Sequence, residues 1–123
     1  MKLVLAIGAG SFIGGISRYL ISILIQERVE STFPLGTLGV NILGCFLIGI
    51  VFGFYDRGNM SQEWRLFLAT GILGGFTTFS AFSNETVGML RDGQLGYASV
   101  YVLSSVALGL VATFIGIMII KML

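Results

Sequence analysis

The sequence predicts an all-α integral membrane protein of four transmembrane helices, the third of them broken. Three observations carry this expectation. Charged residues make up 11% of the chain and apolar residues 55%, with mean hydropathy +0.96, whereas soluble domains run near 25% charged. Four apolar stretches, at about 3–25, 37–55, 66–90 and 97–120, each approach the roughly 20 residues that a bilayer-spanning helix needs. In the third stretch, three glycines (Gly71, Gly74, Gly75) and hydroxyls at Thr77, Thr78, Ser80 and Ser83 stand where lipid depth calls for uniform apolarity.

These spans use most of the 123 residues, so residues 1–123 read as a single four-helix transmembrane domain with short loops. The first apolar run is too long for the core of a signal peptide and lacks an obvious small-residue cleavage site. Cysteine is single (Cys45) and histidine absent, which excludes an internal disulfide and any zinc, haem or Cys/His catalytic set. No nucleophile–base pair suggests an enzyme. A net charge of +1 carries no expectation of nucleic acid.

In span one, Gly10 and Gly14 form a GxxxG pair beside Gly15, a pattern that favours close helix approach. Arg18 lies well inside this span. Two readings stand for it: an interfacial anchor that snorkels, or a functional charge with a partner. A polar link, residues 26–32, leads through Phe33 to Pro34, the only proline, placed where its missing N–H costs least.

Span two carries one strongly polar side chain, Asn41. A lone asparagine in a membrane helix often bonds only a neighbouring helix, worth about 0.6–2 kcal/mol. Its amide also offers two N–H donors, which suits an anion. Trp64 at the start of span three reads as an interface anchor. Within that span, glycine costs roughly 1 kcal/mol against alanine per helical site, and the hydroxyls compete for backbone hydrogen bonds. Winding should therefore loosen near Gly74–Thr78, and the freed groups must be satisfied by protein, water or an ion. Close glycine packing alone is the competing reading. Phe76, Phe79 and Phe82 recur every third residue, which by default marks core or lipid-facing positions. Glu85 is the only acid within a span. In span four, Tyr101, Ser105, Gly109 and Thr113 are spaced by four and line one face.

An even number of spans puts both termini on one side with Lys2, Arg57, Arg65 and Lys121, against Arg28 and Arg91 on the other. The positive-inside rule favours cytoplasmic termini by a thin margin. So small a bias allows insertion both ways, and with it an antiparallel dimer. Four short helices cannot both enclose a pore and pack together, so transport at this size calls for more than one copy.

The polar lining, Asn41, Thr77, Thr78, Ser80, Ser83, Tyr101, Ser105 and Thr113, is neutral. Cation pathways normally want acidic side chains or carbonyl arrays, and proton-coupled pumps a buried carboxylate. Hydroxyl and amide donors favour a small anion, and the positive edges of Phe79 and Phe82 fit one where no water does.

Residues 74–85, GGFTTFSAFSNE, closely resemble the third-helix signature of the Fluc (CrcB-type) family of fluoride channels. Gly14-Gly15-Ile16-Ser17-Arg18-Tyr19 and Gly36-Thr37-Leu38-Gly39-Val40-Asn41 support the resemblance, which spans essentially the whole chain. It implies an antiparallel, dual-topology homodimer in the bacterial cytoplasmic (inner) membrane, surrounded by lipid. Two pores would export fluoride passively and so confer fluoride resistance. It places Phe79, Phe82 and Asn41 in the pore, with Ser80 beside them. Tyr101, Ser105 and Thr113 become a polar track, Glu85 an acid near a pore entrance, and Arg18 a vestibule or dimer residue. Gly74 and Thr77 become the residues whose backbone carbonyls hold a structural sodium ion at the dimer axis. Ala81 and Gly109 depart from the pattern, standing where relatives often carry hydroxyls. A proton-coupled drug exporter of similar size is the alternative, but such exporters carry a glutamate in the first span and this one has none there. An accessory protein that conducts nothing is the third reading.

Overall fold

Length and apolarity alone dictate helices here, because a backbone in hydrocarbon must satisfy its own hydrogen bonds. A computed structural model describes all 123 residues and contains helices only. Helix α1 covers Lys2–Glu27 and α2 covers Leu35–Asp56. The third span, Gln62–Arg91, is composite. It begins with α3 (Gln62–Arg65), continues as a π-helix (Leu66–Leu73) and one α-turn, α4 (Gly74–Phe76), and resumes after a gap as α5 (Phe79–Arg91). Helix α6 covers Leu95–Met122. Four helical stretches are thus long and apolar enough to cross a membrane.

The helix ends follow from local chemistry. Ser61 caps α3 by accepting from the Trp64 amide, as N-cap serines do. Gly58 and Gly93, the two residues with positive φ (73° and 74°), terminate α2 and α5. At each, the glycine amide and the next amide fold back on the last turn, Gly58 to Tyr55 and Asn59 to Phe54, Gly93 to Leu90 and Gln94 to Met89. That is the Schellman stop, which needs a left-handed residue. Arg57 donates to the Ile120 carbonyl and so serves the C-terminus of α6. The Arg65 guanidinium lies 4.8 Å from the Tyr55 ring centroid and 5.7 Å from that of Phe52, pinning the start of the third span to the end of α2 by cation–π attraction.

Glycines set the packing. Helix α1 lies against the π-helix at backbone distance: a Cβ on Gly10 would stand 3.0 Å from the Gly71 Cα, and one on Gly14 would overlap the Ile72 carbonyl. Gly75 faces Ser11 in the same way. Helices α2 and α6 meet through Gly49, Gly53 and Gly116. Without a hydrophobic drive between helices in lipid, such dispersion contact is a main source of association. For Gly71 and Gly75, close packing is therefore what the residue does.

The π winding was not expected from the sequence, which placed the loosening further on, near Gly74–Thr78, although Thr70 and Gly71 already interrupt residues 66–73. It coincides with the closest approach of α1, and Ser11 Oγ donates to the Gly71 carbonyl inside it (3.4 Å). Only 18 of the 123 residues are buried, so most apolar side chains point outward, the arrangement that a lipid solvent rewards and water penalises. Two small cores remain. Leu38, Met89, Ala98 and Tyr101 form one, and Val40, Val51, Leu73 and Phe76 the other. They flank the gap in the third span.

Gly14→Ala should destabilise the detergent-solubilised protein by about 1–3 kcal/mol, the range for overpacking, read as a drop in thermal unfolding temperature. Gly8→Ala, where a Cβ meets nothing within 4 Å, should leave that temperature unchanged.

Candidate functional site

The gap falls at Thr77 and Thr78, both extended (φ −86°, ψ 155° and φ −148°, ψ 114°). Two β-branched residues in succession favour this conformation, and each spends its hydroxyl locally. Thr77 Oγ1 donates to the Leu73 carbonyl (3.0 Å), closing α4. Thr78 Oγ1 accepts from the Ala81 amide (3.2 Å), capping α5. Asn41 supplies the rest. Its Oδ1 accepts from the Thr78 amide (2.8 Å) and its Nδ2 donates to the Thr78 carbonyl (3.1 Å). One side-chain amide thus satisfies both polar groups of a residue that has left the helix.

The gap strands carbonyls of the preceding turn, those of Gly74 and Thr77 among them. In a continuous helix Gly74 O would accept from the Thr78 amide and Thr77 O from the Ala81 amide. Those donors go to Asn41 and to the Thr78 hydroxyl instead. Gly74 lies exposed on the outside of the single chain, so its peptide is accessible. No cluster of three or more acidic, Cys or His side chains exists to hold a metal; the oxygens on offer here are backbone carbonyls, with the Thr77 hydroxyl beside them.

Beside the gap lies an open cavity of about 370 Å³, lined by Asn41, Thr77, Thr78, Phe79, Phe82 and Ser105 among others, with Gly74 on its wall. Phe79 is 78% exposed and Phe82 half-buried; their rings lie 5.6 Å apart at 46°. Phe82 in turn lies 5.0 Å from Tyr101. Ser105 Oγ is buried without a hydrogen-bond partner in the chain. Asn41 keeps one N–H unspent, since its amide has two and one goes to Thr78. An unpaired hydroxyl, an amide with a donor to spare and two aromatic rings therefore line one cavity that has no charged residue on its wall.

Glu85 sits beyond Phe82 and is gripped from two sides. Thr37 Oγ1 donates to Oε1 (2.7 Å) and the Tyr101 hydroxyl to Oε2 (2.6 Å). Hydroxyl-to-carboxylate bonds this short are among the stronger kind. Thr37 was not singled out as a site residue in the sequence, yet it stands one turn before Asn41, and the four-residue spacing applied to α6 would have exposed it on α2.

Other sequence candidates lie apart from the cavity. Thr113 Oγ1 donates to the Cys45 carbonyl (2.9 Å) and the Gly109 carbonyl (3.1 Å), tying α6 to α2. Gly109 is buried against the Cys45 thiol, 3.3 Å from where its Cβ would be. Ser80 is exposed and shares a hydrogen bond with Thr78 Oγ1 (3.2 Å). Arg18 is half-buried, with Nε buried and unpaired.

The family model described as "CrcB-like protein, Camphor Resistance (CrcB)" matches residues 5–117. Among curated proteins, the chain is 49% identical over 119 residues to the "Fluoride-specific ion channel FluC" of Geobacter sulfurreducens, covering 96% of each chain. It is 44% identical over 122 residues to the protein of that name from Flavobacterium psychrophilum, covering 98% of each. The Rhizobium meliloti protein of the same name is 42% identical over 118 residues, with 95% of this chain and 94% of the relative covered. With near full-length agreement in both comparisons, the chain belongs to the CrcB-like family.

Proposed function

We propose that this protein is a fluoride-selective channel that lets fluoride leave the cell passively. The relatives that match over nearly their full length are named as fluoride-specific channels, which supports the ion. The observation that carries the chemistry is the uncharged cavity beside the broken third span, lined by Asn41, Ser105, Phe79 and Phe82, whose N–H, O–H and ring edges can offer positive dipole ends. A small anion that gives up water needs such donors, and the absence of a formal positive charge lets it leave again.

Along this path each residue has a separate task. Asn41 keeps the gap open and offers its second N–H. Phe79 and Phe82 exclude water and offer ring edges. Ser105 offers a hydroxyl with no other use in the chain. Glu85, held by Thr37 and Tyr101, keeps those two hydroxyls oriented at one end. Ser80 stands at the exposed rim, and Thr113 fixes the α2–α6 distance within which the track runs.

The active unit in this reading is an antiparallel, dual-topology homodimer with two pores, in the bacterial cytoplasmic membrane. The weak charge bias supports dual insertion, and the exposure of Gly74 and Phe79 on the single chain supports a partner covering them. Gly74 and Thr77 fit a sodium site, since both carbonyls lack their helical donors and a hard cation prefers oxygen. Sodium there would neutralise carbonyl dipoles where two copies meet. Arg18, with its unpaired Nε, suits a vestibule or subunit contact.

Vesicles containing the purified protein should release fluoride to an electrode while retaining chloride; comparable chloride release would remove the selectivity claim. Phe79→Ile or Phe82→Ile should cut fluoride release at least about tenfold, equivalent to 1.4 kcal/mol, with the assembly intact by size-exclusion chromatography. Asn41→Leu leaves both polar groups of Thr78 unpaired at about 1–3 kcal/mol each, so it should lower the unfolding temperature as well as abolish release.

A further inference from the structure

Gln26 occupies the last turn of α1, outside every motif discussed above, yet its side chain makes three hydrogen bonds across the α1–α2 turn. Nε2 donates to the Ser31 carbonyl (2.9 Å) and the Phe33 carbonyl (3.2 Å), and Oε1 accepts from the Gly36 amide (3.0 Å). No other α1 side chain bonds across this turn. The turn would otherwise rest on short local bonds such as Ser31 N to the Val29 carbonyl (2.8 Å) and Phe33 N to Ser31 Oγ (3.1 Å). Residues 27–32 are all exposed, so little packing holds them.

Both arms of this clamp lead to the same carboxylate. The Phe33 ring stands edge-on to Tyr101, centroids 5.5 Å apart at 75°, and Tyr101 donates to Glu85 Oε2. Gly36, fixed in the first turn of α2, immediately precedes Thr37, which donates to Glu85 Oε1. Gly36 also lies so close to the Ser22 carbonyl that a Cβ would overlap it, so α1 and the start of α2 touch backbone to backbone. The two donors of Glu85 come from different helices, and one amide side chain sets the surroundings of both.

We propose that Gln26 is a positioning residue of the permeation path: by tying the α1–α2 turn it seats Phe33 against Tyr101 and Gly36 beside Thr37, and so orients both hydroxyls on Glu85. This rests on the channel reading above, in which Glu85 and its donors form one end of the path. The inference concerns orientation, since Gln26 itself reaches none of the cavity-lining groups.

The test is fluoride release from reconstituted vesicles, normalised to folded protein, for wild type, Gln26→Leu, Phe33→Leu and the double variant. Leucine keeps most of glutamine's volume without the amide; Phe33→Leu removes the ring while leaving the Gln26 bonds to main chain. Each single variant should slow release about tenfold, the effect of losing one or two such contacts, and the double variant should be no slower than the slower single, because contacts in series do not add. Wild-type vesicles that retain fluoride would count against the channel reading itself. Wild-type release accompanied by unimpaired Gln26→Leu, or by losses that multiply in the double variant, would overturn the positioning role alone. If Gln26→Leu does not assemble, Gln26→Glu decides, since it removes both Nε2 donors at nearly constant size: slowed release supports the proposal and wild-type release overturns it.

Discussion

The peptide groups of Thr78 depend on Asn41, and everything proposed for this chain depends on that pairing. In hydrocarbon, an amide or carbonyl that leaves a helix has no water to turn to, and leaving it bare costs several kcal/mol. A side-chain amide is the one neutral group that can give and take a hydrogen bond in the same plane as a peptide. Placed on α2 opposite the gap, Asn41 lets the third span extend for two residues with both polar groups of Thr78 paired. The cost is shifted to the carbonyls of Gly74 and Thr77, which lose their helical donors on the accessible side.

The packing around the gap explains why it stays local. Backbone-to-backbone contact of α1 with the π-helix fixes the first half of the span, through Gly10, Gly14, Gly71 and Gly75. The second half, α5, is fixed by the Thr78 cap, by Phe82 against Tyr101 and by Glu85 between Thr37 and Tyr101. Helix α1 braces the first half and α6 the second, with α2 packed against both.

Much of this was legible in the chain. Four spans follow from hydropathy, and glycine followed by paired threonines at membrane depth marks the gap, because propensity and lipid chemistry act in the same direction there. Asn41 had two readings, and the structure shows one amide serving as a helix-to-helix bond while keeping a donor to spare. What the sequence withheld depends on tertiary contact. The π winding of Leu66–Leu73 contains Gly71, but it appears where α1 presses closest, a contact that the sequence does not spell out. The Thr113 hydroxyl shares a face with Tyr101 and Ser105 by spacing, yet it bonds the nearest carbonyl of α2. Hydroxyls in a low-dielectric setting go to whichever acceptor is adjacent, and spacing along one helix does not say what the next helix offers.

The conformation of two residues tests the account most directly. Solid-state NMR of the protein in lipid bilayers, with ¹³C and ¹⁵N labels at threonine, reads backbone geometry through the carbonyl, Cα and Cβ shifts. Extended-chain shifts at Thr77 and Thr78, with a through-space correlation from the Asn41 side-chain amide to Thr78, are what the account predicts. Helical shifts at both threonines, with no such correlation, would contradict it.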